Sequence, residues 1–362
     1  MNTPLDESAS PGVHRGSSWW PRARAIGLLS LMLGAVRADD FPPLAGLQRG
    51  TPVPFGSGSS APYRELGLTN LVKVDANRSY VVGLRADGTV VRWGVLADDS
   101  FTSTLQRIVA VSAGGAHTLA LRDDGRLFAW VAEGNVFDDQ ILPIPPGLTQ
   151  GRKIAAGFTH SVVVDTDGRV WAWGANTHGP YDPPAWATNA MDATAGSLYS
   201  AVILADRTVR GWSPPGWEPS PGPPAGHAPA VQVDASIFGH VLSLRNDGRV
   251  FAWGNNDHGQ ATVPSGLDRV VHVAAGGQHS AALRDDGTVV GWGDNGRGQL
   301  DVPPNIRFFA IAAADYFTVG LTRAPIIADW PPTVYARAGD DLEVSETVVA
   351  SDPVLTNSKR LA

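Results

Sequence analysis

One spacing governs most of this chain. An Asp at a turn stands six residues before a Trp and seven after a His or Tyr. The Asp positions are Asp87, Asp124, Asp167, Asp206, Asp247 and Asp286, and the Trp positions are Trp93, Trp130, Trp173, Trp212, Trp253 and Trp292. The leading residues are Tyr80, His117, His160, Tyr199, His240 and His279. Successive Trp residues lie 37, 43, 39, 41 and 39 apart. A period near 40 signals a solenoid, a propeller or an array, in which no unit can bury its apolar face alone. The cleanest copy, Val271 to Pro304, reads as four short strands. A small-residue strand (Val271–Ala275) passes a Gly turn into a second strand (His279–Leu283). Asp285-Asp286-Gly287 then reverses the chain into a third strand ending at Trp292. Asp-Gly between apolar runs is a hairpin signal because Gly tolerates positive φ. A polar loop, Asp294–Gly298, leads to a fourth strand ending in Pro303. Pro has no N–H for a ladder, so this strand belongs at a sheet edge.

Two half-units choose among the repeat architectures. Gly50-Thr51-Pro52-Val53-Pro54-Phe55-Gly56 matches the third strand, with Phe55 in the Trp place, and nothing before it matches the first two strands. Ile311–Phe317 and Leu321 match the first two strands, and no Asp-Gly-Trp hairpin follows. An open solenoid would leave both ragged edges exposed, an aggregation hazard. A ring joins them. The expected fold is therefore an all-β, seven-bladed β-propeller with four-stranded blades, closed by N- and C-terminal strands in one shared blade. Pro52 and Pro54 break the repeat pattern and are expected to weaken the ladder at this joint.

The elements AAGxxHSxAL, DGTVxxWG and WGxNxxGQxxVP are carried by Ala274–Leu283, Asp286–Gly293 and Trp253–Pro264. They resemble the regulator of chromosome condensation repeats, over residues 44–325. The short units and tight loops are similar to the bacterial short-repeat type, which includes a secreted β-lactamase inhibitor propeller. That resemblance implies binding through one loop face of the disc. It leaves the target open, because this fold hosts unrelated roles.

Residues 1–38 read as an export signal. Arg15, Arg22 and Arg24 precede the apolar run Ala25–Val36, and Val36-Arg37-Ala38 offers small residues for cleavage before Asp39. Twelve apolar residues are too few to span a bilayer, which needs about 20. The expected location is secreted, periplasmic or cell-surface. Residues 39–43 read as a lead-in, 44–325 as the propeller and 326–362 as a tail. In that tail Thr333–Ala336 and Leu342–Val344 alternate like strands, resembling the opening of a truncated immunoglobulin-like module. With no Cys, disulfides and thiolate metal sites are excluded. Without residues 1–38 the chain carries 28 − 4 = 24 basic and 35 − 2 = 33 acidic residues, a formal charge of −9. Nucleic-acid binders cluster Lys and Arg against phosphates, and no such cluster is present.

Most of the unusual composition belongs to the ring wall. The six repeat Trp residues are expected between blades, each indole N–H donating to a neighbouring carbonyl. The repeat-place residues His117, His160, His240 and His279 share their place with Tyr80, Tyr199 and Phe317, which argues for packing with a ring nitrogen bonded to backbone rather than for catalysis or metal binding. The Asp-Gly turns lack the downstream Glu of a calcium loop. No nucleophile elbow, phosphate loop or His-Glu-x-x-His occurs, so no enzyme, metal or cofactor is expected.

Strand order puts the turn after strand one and the polar loop after strand three on one face, and the Asp-Gly hairpins on the other. The first face presents Arg78, Phe158, Leu198, Phe238 and Tyr316 from its inner turns, and His178, Trp217, His258 and Arg297 from its polar loops. Blade two gains four residues there, with Pro145 fifteen after its Trp against eleven elsewhere, bringing in Phe137. Aromatics and Arg on a rigid face are common protein-binding anchors. Leu198 and Phe238 could equally tuck into the ring. The expected partner is another protein. Surface or cell-wall polysaccharide is the alternative, and guanine-nucleotide exchange, implied by the eukaryotic branch of the resemblance, is third.

Overall fold

The computed structural model describes residues 47–56, 68–94, 101–131, 142–175, 182–213, 223–323, 345–348 and 355–358. Within them lie seven antiparallel three-stranded sheets. Blade 1 is Leu71–Ala76, Tyr80–Arg85 and Val90–Gly94; blade 2 is Ile108–Ala113, His117–Arg122 and Leu127–Val131. Blade 3 is Gly151–Ala156, His160–Asp165 and Val170–Gly174; blade 4 is Ala190–Ala195, Ser200–Leu204 and Val209–Trp212. Blade 5 is Ala230–Ala235, His240–Arg245 and Val250–Gly254; blade 6 is Val270–Ala275, His279–Arg284 and Val289–Gly293. Blade 7 takes Phe308–Ala313 and Thr318–Thr322 from one end of the repeat region and Thr51–Phe55 from the other.

That last blade is the predicted closure. Thr51 pairs with Thr322 and Phe55 with Thr318, so the N-terminal strand completes the sheet in register. Pro52 and Pro54 do not spoil it. They are two apart, so both nitrogens point to the same side of an edge strand, which leaves one side without a ladder. Packing closes the circle as well. Each neighbouring pair of blades shares a buried apolar core, from Ile108 and Trp130 against Val72 and Leu84 between blades 1 and 2 to Phe317 and Leu321 against Leu71 and Trp93 between blades 7 and 1. The five remaining pairs are joined likewise. Five of the six repeat Trp residues are buried in these seams; Trp292 Nε1 donates to Gln260 O at 2.8 Å as expected, whereas Trp130 Nε1 is buried without an acceptor among the described residues.

The expected fourth strand is a correction. The segments 142–150, 182–189, 223–229, 255–269 and 294–307 run as turns and irregular chain outside every ladder. Each carries proline (Pro145, Pro184, Pro224, Pro264 and Pro303), which removes ladder donors. A second departure recurs in all seven blades: the register shifts at the second residue of the inner strand, as between Leu71 and Lys73 or Val270 and His272. Such bulges re-aim side chains, with consequences for the channel described below. The Asp-Gly hairpins hold Gly88, Gly125, Gly168, Gly248 and Gly287 at φ of 78 to 84°. Blade 4 places Arg207 there instead, at φ 67°.

Residues 1–46 and the tail strands expected at 333–336 and 342–344 lie outside the described residues. In the tail Ser345–Val348 pairs with Leu355–Ser358, a hairpin the sequence reading missed.

Candidate partner-binding face and central channel

The repeated His and Tyr residues build a belt between blades. Tyr80 Oη lies 2.6 Å from Thr118 Oγ1 of the next blade. His117, His160, His240 and His279 place Nε2 at 2.8, 2.9, 3.0 and 2.9 Å from the hydroxyls of Ser161, Ser200, Ser280 and Thr318. The expected bond to backbone is found at His160, with Ser197, and for the belt as a whole it is corrected to a side-chain bond one blade onward. Ser280 Oγ donates to Gln260 O and Thr318 Oγ1 to Gln299 O, so His240 and His279 must be the donors at Nε2. In the two other seams Val241 and Val81 stand where a hydroxyl would be, and the residues packed there are Tyr199 and Phe317. Burial pushes His117 and His279 down to about 4, and His160 and His240 to about 3. These imidazoles are neutral ring-wall joints.

On the loop face, Phe158 and Phe238 are 40% and 43% exposed. Each leans on a neighbouring blade's glycine: a Cβ on Gly115 would collide with the Phe158 ring, and one on Gly277 would crowd Phe238. Tyr316 is half-buried beneath Arg297, whose guanidinium carbon is 4.5 Å from its ring centroid. Arg78 is exposed, with Nε 3.9 Å from the buried Asp315. Buried glutamines fix the polar loops that carry the remaining candidates. Gln260 Oε1 accepts from His258 N and Gln299 Oε1 from Arg297 N, both at 2.8 Å. Leu198 is half-buried. Phe137, His178 and Trp217 lie outside the described residues.

The hairpin face is occupied with itself. Asp87, Asp206 and Asp286 each accept both the N–H and the hydroxyl of the Thr two residues on. Arg122 pairs with Asp124, Arg245 with Asp247 and Arg107 with Asp123. Charges already paired on their own surface offer a partner little.

A central channel of about 400 Å³ runs along the inner strands. Sequence reading assigned these strands only small packing residues and missed what lines it. Lys73, Gln232 and His272 line it at the third place of their strands, with Asp75, Ser112, Thr194 and Asp234 at the fifth. The available signal was a polar residue at those places in an otherwise small or apolar strand. The fifth-place residues tie each blade to the next. Asp75 Oδ2 accepts from Ala113 N, Ser112 Oγ from Ala156 N, Thr194 Oγ1 from Ala235 N and Asp234 Oδ2 from Ala275 N, at 2.9 to 3.1 Å. Enclosure raises Asp75 to about 6; it raises Asp234 to about 7, with help from the Asp75 and Asp192 charges. Among the described residues no set of three or more His, Asp or Glu side chains is arranged to hold a metal ion, and no helix is long and apolar enough to cross a membrane.

Fold and faces together define a closed β-propeller whose hairpin face pairs many of its own charges and whose loop face exposes Phe158 and Phe238. Residues 108–130, 152–179, 230–260 and 270–299 match the Regulator of chromosome condensation (RCC1) repeat; these are blades 2, 3, 5 and 6, the four with His in the belt. The chain thus carries RCC1-type repeats in these four blades. It is 27% identical over 209 residues to the RCC1 domain-containing protein RUG3, mitochondrial, of Arabidopsis thaliana. That match covers 51% of this chain and 41% of RUG3, so the chain spans less than half the length of this relative. Among solved structures, Prp20p of Saccharomyces cerevisiae shares 15% identity at a TM-score of 0.61, covering 76% of this chain and 92% of that one. The ectodomain of the Physcomitrella patens receptor kinase CR4 shares 22% at 0.56, covering 70% of each chain. Human WBSCR16 shares 18% at 0.54, covering 70% and 87%. These likenesses concern the fold.

Proposed function

We propose that this chain is a non-enzymatic, exported propeller that binds another protein through its loop face. The observation that carries the reading is the inequality of the two faces: Phe158 and Phe238 stand two-fifths exposed on one, while the other spends its charges on itself. Half-exposed aromatics on a rigid turn cost little entropy to bury and are typical anchors. Yeast Prp20p binds Gsp1p and histones and has been solved with Kap60 bound to it, which supports protein docking as a use of this fold. Export rests on the n-region, apolar run and small-residue order of residues 1–38.

The test is capture from the extracellular proteins of the source culture by the immobilised chain. Phe158→Ala with Phe238→Ala should weaken capture at least 30-fold, at about 1–2 kcal/mol per anchor. Arg122→Ala on the hairpin face should change nothing. Capture indifferent to the aromatic pair removes the face assignment. Retention on isolated cell-wall polysaccharide, lost in the same double variant and with no protein captured, replaces the protein partner by a glycan.

A further inference from the structure

The mouth of the central channel holds a buried acid without a proper partner. Asp315 sits in the inner turn of blade 7, lines the channel and is 3% exposed. Its Oδ2 accepts no hydrogen bond among the described residues. Arg78 Nε stands 3.9 Å away, beyond hydrogen-bond reach, on a side chain that is 63% exposed. A buried carboxylate oxygen left in this state is costly, and such atoms in native folds call for an explanation.

The surroundings point to a cation. The inner strands rise toward the loop face, so their fifth places lie nearer that face than their third places. Asp75 and Asp234 therefore follow Asp315 down the channel. Each spends one lone pair of each oxygen on a backbone N–H, which leaves acceptor capacity over. The channel's own lysine is set lower and turned aside: Lys73 Nζ donates to Val109 O at 3.2 Å. Three carboxyls at the loop-face end thus share Lys73 below them and a loosely held Arg78 above. Burial raises all three carboxyls, Asp315 to about 6, and the Asp75 charge adds to the rise at Asp234. A cation entering among them would relieve both effects.

We infer that the loop-face end of the channel is a socket for one basic side chain, a lysine or arginine of the bound protein, with Asp315 as its first acceptor and Asp75 and Asp234 beneath. The inference rests on the protein-docking reading above and gives that partner a chemistry. A volume of about 400 Å³ accommodates one long side chain. The hydrogen bonds it would make to charged acceptors are of the strong kind. Arg78 is the internal competitor, displaced when the socket fills.

The probe is n-butylammonium, titrated into the purified full chain with the aspartate carboxyl carbons isotopically labelled, against n-butanol as the neutral control. Saturable shifts at Asp315, Asp75 and Asp234, absent with n-butanol, are expected. Asp315→Asn keeps the side-chain shape and should weaken binding at least tenfold. Arg78→Ala, on an exposed residue, should tighten it severalfold. Linear shifts equal to those of n-butanol, or unchanged affinity in Asp315→Asn, overturn the socket. Partner capture that survives both Asp315→Asn and excess n-butylammonium overturns it too, while leaving the docking reading in place. Saturable, Asp315-dependent binding in a chain that captures no protein upholds the socket as a cation site and overturns the docking reading alone.

Discussion

The seam between blades 6 and 7 and the seam between blades 7 and 1 close the same ring with different chemistry. In the first, His279 reaches across to Thr318, whose hydroxyl in turn donates a hydrogen bond to Gln299 O. In the second, Phe317 stands in the equivalent place and meets Val81. The pattern is reciprocal around the ring. Where the following blade offers a hydroxyl, the preceding one supplies His or Tyr. Where it offers Val, as at Val81 and Val241, the preceding residue is Phe317 or Tyr199. Tyr199 solves its seam differently from Tyr80, since its hydroxyl lies over Gly211, where a Cβ would collide with it. A buried polar group is tolerated only with its partner, so the hydroxyl-linked joints pair polar groups, the Phe317 joint is apolar, and Tyr199 turns its hydroxyl away from Val241 toward Gly211.

The comparison breaks most visibly with pH. The hydroxyl-linked seams hold imidazoles that folding drives below the ordinary value of about 6.5. Between that value and about 4, the unfolded chain binds more protons, so these seams lose stability as pH falls through the window. Asp75 and Asp234 act oppositely: raised when folded, they bind protons first, and the protein gains from them as pH falls from 7 toward 4. Asp315, raised to about 6, acts with them, but four belt imidazoles stand against these three carboxyls, so the histidines outweigh them. Thermal melts should therefore show a net loss of several kcal/mol from pH 7 to 4.5. Converting one seam to the apolar kind, with His279→Phe and Thr318→Val, should flatten that fall. An unchanged slope would show that the imidazoles do not carry it.

Next in size is the converse exchange. Phe317→His puts an imidazole opposite Val81, loses apolar burial and should cost about 3 kcal/mol in denaturant unfolding. Adding Val81→Ser should recover about 1 kcal/mol or more as coupling between the two sites. Strict additivity of the two substitutions would mean that the seams are not paired choices. The smallest effect lies away from the seams. Arg207 occupies the left-handed turn position that five other hairpins give to Gly, and Arg207→Gly should gain about 0.5–1 kcal/mol. Its melting temperature should rise while belt and channel are untouched, which separates hairpin repair from seam repair.

Much of this was legible in the residues. The Asp, Trp and His spacings located every middle and third strand, and the half-units at Gly50–Gly56 and at Ile311–Phe317 with Leu321 predicted their own pairing. The hydroxyl partners were also present in plain view, one residue after the repeat place in five of the seven blades, at Thr118, Ser161, Ser200, Ser280 and Thr318. They were missed because the bond skips a whole repeat: His240 and Ser280 are separated by 40 residues. The outermost strand was over-read, since an apolar residue before a Pro resembles a strand end when the ladder donors cannot be counted. Of the face residues, Arg78, Phe158, Phe238, His258, Arg297 and Tyr316 fall on the described loop face. Only the structure separates the two-fifths-exposed Phe238 from the half-buried Leu198.

The sequence alone determined the unit, the number of blades and the circular joint, because those follow from local periodicity: a turn that needs Gly, an alternation that needs a sheet, and two fragments that complete each other. Tertiary structure decided which side chains meet at the centre. Asp75, Asp234 and Asp315 are far apart along the chain and converge only because seven inner strands, each bulged at its second residue, point into one channel. Charge interactions depend on distance through space and on exclusion of water, and neither can be read from a spacing in the chain.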